Sequence, residues 1–395
     1  MDVQLSRRVQ NIKPSPTLTV TARAATLKAA GKDIIGLGAG EPDFDTPEHI
    51  KLAAIQAIQA GFTKYTAVDG TAELKRAIIN KFARDNGLSY TPNQILVSVG
   101  GKQSFYNLAQ ALINPGDEVI IPAPYWVSYP DIVLLAEGVP VIIRAGLEQA
   151  FKITPAQLEA AITPKTRLLI LNTPSNPTGV MYSQAELAAL GEVLRRHPGV
   201  LVASDDIYEH ILLDSMPFCN ILNACPDLYD RTIVVNGVSK SYSMTGWRIG
   251  YAGGPPKLIA AMKNIQSQST SNPTSISQVA AQMALEGDQS FLKGWCREFK
   301  QRHDVVLEGL HGIKGVQCLP SQGAFYSFPS MQGVIERLGM KDDVDLAEHL
   351  LSQVGVALVP GSAFGAPGYM RLSFATSMEN LREALKRMQG LLNTD

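Results

Sequence analysis

Lys240 lies in residues 234–251, VVNGVSKSYSMTGWRIGY, where an apolar strand runs out into small residues and Arg248 follows eight positions later at the start of another apolar run. A lysine at a strand end, among groups that strip water from it, loses affinity for its proton, and the neutral amine that results forms a Schiff base with a carbonyl. Taken alone, the segment reads better as a surface lysine in a serine-rich loop. Upstream, SDDIYEH closes the apolar run 201–203 and puts Asp205 and Tyr208 where open α/β sheets bind ligands, at strand C-termini. An aspartate there can keep a pyridine nitrogen protonated, and a protonated ring accepts the electron pair released when a Cα–H bond breaks. Asp205 by itself is a common strand-end residue; together with Tyr208 and Lys240 it forms a constellation.

Two further pieces extend it. In NTPSNPTG (172–179), Asn176 presents an amide able to bond a phenolic oxygen on such a ring, assisted by Tyr208; the plainer reading is a tight turn rich in Pro, Asn and Gly. Gly100-Gly101-Lys102-Gln103 falls between a strand and a helix, where free backbone N–H groups and the helix dipole make a phosphate seat. Arg248 would add a charge-assisted bond to the same phosphate. Gly36, Gly38 and Gly40 first suggest a dinucleotide loop, but the third glycine comes one position early and Glu41-Pro42-Asp43 stands where a helix should open, so a backbone turn is the better reading.

Positioning these groups requires a strand–helix rhythm, and the hydrophobic pattern supplies one. Apolar runs at 94–99, 118–122, 139–143, 166–172, 200–205, 231–235 and 248–252 read as strands, with helical stretches at 102–112, 128–137, 155–161 and 184–197. The expected fold class is α/β, a mostly parallel sheet covered by helices. Helical periodicity follows at 257–268, 275–286 and 291–310, the last long enough to link two domains. Strands at 323–328, 356–359 and 369–374 with helices at 344–353 and 378–388 then predict a small α+β domain, against which the first 45 residues, rich in Pro, Thr and Gly, read as an arm. The expected division is 1–45 as arm and part of the small domain, 46–290 as large domain, and 291–395 as linking helix and small domain.

With 395 residues, 45% of them hydrophobic, the chain can bury a substantial core and form two domains. Lys+Arg 35 against Asp+Glu 36, mixed along the chain, leave a net charge of -1 and no footprint for nucleic acid or an anionic membrane. Cys219, Cys225, Cys296 and Cys318 have neither metal-site nor disulfide-framework spacing. Residues 1–13 carry basic groups without an apolar core, and no run approaches the roughly 18 residues of a membrane span. The expectation is a cytoplasmic protein with no metal.

Ten segments, SRRVQNIKPS, GAGEPDFDTPEHI, KYTAVDG, VGGKQ, PYWVSYP, PSNPTG, SDDIYEH, SKSYSMTGWRIGY, GAFY and RLSFATS, span essentially the whole chain in that order. They resemble the class I aminotransferases of pyridoxal-phosphate fold type I, specifically the bacterial aspartate aminotransferase subgroup Ib. The resemblance implies a large domain with a seven-stranded sheet and a small α+β domain. It makes Lys240 the Schiff-base lysine that also shuttles the proton between Cα and C4′ of pyridoxal 5'-phosphate. Asp205 would hold the ring nitrogen, Asn176 and Tyr208 the ring oxygen, and Gly101, Lys102 and Arg248 the phosphate side. Trp126 would stack on the ring rather than serve as a core aromatic. Arg371, otherwise a surface arginine on an edge strand, would grip the substrate α-carboxylate with the backbone around Gly40.

Tyr65 matches a tyrosine that reaches the phosphate of the neighbouring subunit, which implies a homodimer with shared active sites; its alternative is packing in the loop after a helix at 47–60. Two positions depart from the pattern. Gly237 replaces a phosphate-binding serine, and Asp206 replaces a glutamate expected behind the ring contact. Lys102 and Thr17 match the pair that binds the second carboxylate of dicarboxylic substrates, which favours L-aspartate with 2-oxoglutarate and, second, prephenate. A lysine at a helix N-terminus is electrostatically unfavourable unless an anion lies close. Three rivals use the same scaffold: an aminotransferase for neutral or aromatic amino acids, a carbon–sulfur lyase, and a ligand-sensing regulator, for which the chain has no spare DNA-binding residues.

Overall fold

The computed structural model describes residues 3–14 and 16–394. Strand β1 (Ile35–Gly36) stands apart from the main sheet, which is built from β2 (Ile95–Ser98), β3 (Glu118–Ala123), β4 (Val139–Arg144), β5 (Thr166–Asn172), β6 (Leu201–Asp205), β7 (Thr232–Gly237) and β8 (Gly250–Gly253). Their order is β2-β8-β7-β6-β5-β3-β4, parallel from β4 through β7, with β8 antiparallel to both of its neighbours.

Alternate residues of these strands feed separate cores, as a two-residue period requires. Val97, Leu169, Val202 and Val234 join one apolar cluster, while Leu96, Leu168, Ala203 and Ile233 join the other. Burial on both faces explains why the strands read as nearly continuous apolar runs. Because β8 runs against β7, its first residue, Gly250, pairs with the last of β7, Gly237, and also with Ser98 at the end of β2. The loop carrying Lys240, the turn after β2 and the ends of β5 and β6 therefore share one edge of the sheet.

A second body forms around β9 (Tyr326–Ser327), β10 (Val356–Ala357), β11 (Val359–Pro360) and β12 (Met370–Ser373). β11, β12 and β9 make an antiparallel sheet, whereas β10 pairs with β1. Helices Ser290–His311 and Met378–Leu392 cover this body, burying Phe299, Val306, Leu310, Leu381 and Met388 in one cluster that also takes in Tyr208, Ile211 and Leu213.

Several boundaries differ from the sequence reading. The run 356–359 splits between two sheets at Leu358, and 323–328 yields only two strand residues because Ala324 adopts φ 58° and turns the chain. The expected strand 248–252 begins at Gly250, since Arg248 closes a short turn at φ 55°. The N-terminal stretch, read as an arm on the small domain, contains helices Arg7–Gln10 and Pro16–Ala29; the second packs Ala24 against Leu351 and Ala357. Ser15, the last residue of SRRVQNIKPS, lies outside the described residues.

Behind the sheet edge, buried Lys81 pairs with Glu209. The Glu209 carboxylate accepts from Asn86 Nδ2 and Asn236 Nδ2, each at 2.7 Å. A buried charge survives only when paired and hydrogen-bonded. Here the pairing ties the turn after β6 to the end of β7. Asp85 and His210 extend this cluster, with Arg84 at 2.7 Å and Lys81 at 3.8 Å as the cations beside Asp85.

Candidate active site

A cavity of about 420 Å³ opens at the edge where the strand ends converge, large enough for a cofactor-sized ligand. Asn176, Asp205, Tyr208, Lys240 and Arg248 line it from the main sheet, and Gly101, Lys102 and Trp126 from the first turns beside it. Thr17, Gly40 and Arg371 reach it from the N-terminal segment and the second body. Tyr65 does not line it: in its own chain the side chain is 91% exposed, which overturns the packing alternative.

Lys240 Nζ donates to the carbonyl of Gly40 at 2.6 Å. Burial, with Arg371 and Arg248 nearby, brings its pKa down to about 8 against the opposing pull of Glu41 and Asp205. A surface lysine would keep its ordinary affinity for the proton; this one sheds it near neutrality and so presents a nucleophilic amine.

Asp205 ends β6, and its carboxylate accepts from the Tyr129 hydroxyl and from the Ile207 N–H. Burial pushes its pKa up to about 6 in spite of the hydrogen bonds from Tyr129 and Ile207 and the charge of Lys240. A carboxylate held at such cost beside a cavity is completed by a cation, and a protonated ring nitrogen is one. Asp206, next in the chain, is buried away from the cavity, accepts from Ser204 Oγ at 2.6 Å and Asn220 Nδ2 at 2.9 Å, and is pushed up to about 7 by burial and by Glu209.

Helix Gly101–Leu112 begins where the phosphate seat was expected. Gly100 adopts φ +81°, and a Cβ there would stand 2.2 Å from Arg248 Nη2, so only glycine leaves room for the guanidinium beside the free helix N–H groups. Arg248 Nη1 is anchored on the Thr245 carbonyl at 2.7 Å. At Gly237 the space is tight: a Cβ would lie 3.0 Å from both Gly250 Cα and the Ile249 carbonyl, so a serine there needs the facing backbone to give by a few tenths of an ångström. Ser239 lines the cavity two residues on.

Arg371 on β12 is 2% exposed, not the surface arginine of the plainer reading. Nη1 donates to Asn176 Oδ1 at 2.9 Å and Nη2 to the Gly38 carbonyl at 2.7 Å, while Nε has no partner and, among the described residues, no carboxylate pairs with it. A guanidinium buried with only neutral acceptors is a receptor for an anionic fork. Trp126 is partly exposed to the cavity, and the Lys102 ammonium lies 5.2 Å from its ring. Burial and the charge of Arg248 lower the pKa of Lys102, with Asp131 opposing. Thr17 lines the cavity from helix Pro16–Ala29, and its carbonyl accepts from Thr21 Oγ1 at 2.9 Å.

These features fit pyridoxal phosphate: an amine of lowered pKa, a buried carboxylate wanting a cation, and a glycine cradle beside an arginine. Tyr129, Tyr326, Glu41 and Thr21 also belong to this neighbourhood and were not singled out from the sequence. Tyr129 follows Trp126 by three positions in PYWVSYP, and Tyr326 closes GAFY. Nothing in either segment alone signals that a phenol there touches Asp205 or Tyr208.

Residues 32–388 match the family model described as Aminotransferase class I and II. The chain is 63% identical to the aspartate/prephenate aminotransferase of Nitrosomonas europaea, over 99% of this chain and 100% of the relative. It superposes on the crystal structure of the aspartate aminotransferase from Rhizobium meliloti with TM-score 0.95, 51% identity and 99% of each chain covered. On the aspartate aminotransferase from Thermus thermophilus with maleate the TM-score is 0.92 at 44% identity, covering 99% of this chain and 100% of that one.

Proposed function

The chain belongs to the class I and II aminotransferases, which are pyridoxal-phosphate enzymes of fold type I, and from that premise we propose that it transfers the amino group between L-aspartate and 2-oxoglutarate and also accepts prephenate. One observation carries the substrate choice: besides Arg248 and Lys240, both assigned to the cofactor, the same cavity presents two cations, Arg371 and Lys102, and a dicarboxylic substrate offers two anions. The neighbour bound to maleate holds a four-carbon dicarboxylate, and the Nitrosomonas relative is named for aspartate and prephenate.

Pyridoxal phosphate, when bound, supplies a ring that takes up the electron pair released at the substrate Cα. Lys240, its pKa lowered to about 8, would hold the group covalently and serve as the base that takes and returns the substrate Cα proton. Asp205, which accepts from Tyr129, would hold the ring nitrogen and keep it protonated. Tyr208 and Asn176 would hold the ring oxygen, the Gly101 turn and Arg248 the phosphate, and Trp126 the ring face. Arg371, with the backbone near Gly40, clamps the α-carboxylate, and Lys102 with Thr17 receives the second one.

Lys102→Ala is expected to cut kcat/KM for aspartate by roughly 10- to 100-fold, as loss of one charge-assisted bond implies, while changing alanine or phenylalanine by less than about threefold. Half-reactions with each amino acid, followed by the absorbance of the bound cofactor, read both effects. Equal losses for all donors would show that Lys102 does not read the side chain and would move the specificity to neutral or aromatic amino acids. Release of ammonia and pyruvate without a 2-oxo acid would instead favour the lyase.

The working unit in this reading is a homodimer with shared active sites. Leu52, Ile55 and Ile58 are exposed along helix Glu48–Gln59, and Phe62 and Tyr65 continue the apolar face in the loop after it. Ile55→Asp, which places a charge in that face, is expected to shift the protein toward monomer in sedimentation at micromolar concentration and to lower activity in parallel; a monomeric wild type of full activity rules the shared site out. We place the chain in the cytoplasm, which agrees with four unpaired cysteines and with no described helix being long and apolar enough to cross a membrane. We also take 1–45 as arm and part of the small domain, 46–290 as large domain and 291–395 as linking helix and small domain; the two main-sheet clusters draw on the large domain, while the cluster of the second body joins residues of 291–395 with Ile35 and Leu37 and with Tyr208, Ile211 and Leu213 at the contact between the domains.

A further inference from the structure

Tyr326 touches two groups with different tasks. Its hydroxyl lies 2.9 Å from that of Tyr208, and its ring lies 4.5 Å from the Arg371 guanidinium. Both tyrosines are buried, with their rings edge-on at 80° so that the hydroxyls meet while the ring planes cross. A Cβ on Gly40 would lie 3.3 Å from Tyr326 Oη, so the hydroxyl also abuts the backbone whose carbonyl accepts from Lys240. Phenylalanine would stack on Arg371 equally well. The hydroxyl, costly to bury without a partner, therefore has its use in the bond to Tyr208.

We infer that Tyr326 is a positioning residue that directs the Tyr208 proton toward the cofactor's ring oxygen while its ring holds Arg371 ready for the substrate carboxylate. This rests on the pyridoxal-phosphate reading above. With Tyr326 donating to Tyr208 Oη, the Tyr208 proton is left to point into the cavity, and a phenol that accepts one hydrogen bond donates a stronger one. A strong donor at the ring oxygen favours its anionic form, and so holds down the pH at which the bound cofactor takes up a proton.

The test is a pH titration of the absorbance of the full chain reconstituted with pyridoxal phosphate. Tyr326→Phe is expected to raise the protonation midpoint by up to roughly half a pH unit, the scale of cooperative strengthening of one charged hydrogen bond, with KM for amino acids nearly unchanged. Tyr326→Leu, which also removes the ring, is expected to raise KM in addition. In a Tyr208→Phe background, Tyr326→Phe should cause no further shift, because the bond it removes is already gone. An unchanged midpoint in Tyr326→Phe, or the same shift with and without the Tyr208 hydroxyl, overturns the inference while the cofactor reading stands. Absence of a lysine-bound cofactor band in the wild type overturns both.

Discussion

Lys240→Ala is expected to lower turnover by roughly 10⁴-fold or more, the upper range for one positioned acid–base group, and to remove the absorbance of lysine-bound cofactor altogether. The two losses have one cause. On the proposed reading Nζ is both the point of covalent attachment and the atom that moves the Cα proton, and among the described residues lining the cavity no other amine stands ready: Lys102 faces Trp126, and Arg248 and Arg371 keep their charge. In the wild type, cofactor capture should quicken as pH rises through about 8. The folded-state pKa is depressed, so the amine is protonated and unreactive below that value and neutral above it. Single-turnover kinetics and a capture-rate profile check both statements. A Lys240→Ala protein with wild-type turnover would remove the basis of the assignment, and a capture rate flat from pH 6 to about 9 would show that Lys240 is not the titrating nucleophile.

Arg371→Leu should cost about 3 kcal/mol of transition-state binding, roughly 150-fold in kcat/KM for every amino donor, most of it in KM. The leucine leaves Asn176 Oδ1 and the Gly38 carbonyl without their donor, and the incoming carboxylate without its fork, in a site where Arg371 is 2% exposed. Arg371→Lys should recover little, because an ammonium cannot meet a carboxylate and two neutral acceptors with a planar set of donors. Dicarboxylic and neutral donors should suffer alike, in contrast to Lys102→Ala. A KM for aspartate within about threefold of wild type would mean that the α-carboxylate is held elsewhere.

Much of the site was legible in the residues themselves. Lys240, Asn176 and the Gly100-Gly101 turn each follow a strand and Asp205 ends one, and strand ends in an open α/β sheet converge whatever the details of packing. The same logic failed where an element's end depends on its neighbours. Arg248 is off its strand because β8 cannot start until it finds Gly237 and Ser98, and 356–359 divides because its halves face different partners. Tyr65 was singled out on resemblance, and a single chain leaves it in solvent.

Local pattern thus determined the strand–helix order and placed Lys240 and Asp205 at strand ends, since hydrophobic period and residue type act over a few positions; their joint chemistry was read from the constellation and the family resemblance. Tertiary structure alone decided which polar groups touch. Tyr129 reaches Asp205 across 76 positions, Tyr326 reaches Tyr208 across 118, and Arg371 reaches Asn176 across 195. No periodicity encodes those distances in the chain. Tyr129 is brought to Asp205 by a helix packed on the main sheet, whereas the other two contacts arise because the second body is packed over the sheet edge; burial there is what forces each donor to find an acceptor and moves the Lys240 and Asp205 pKa values toward neutrality.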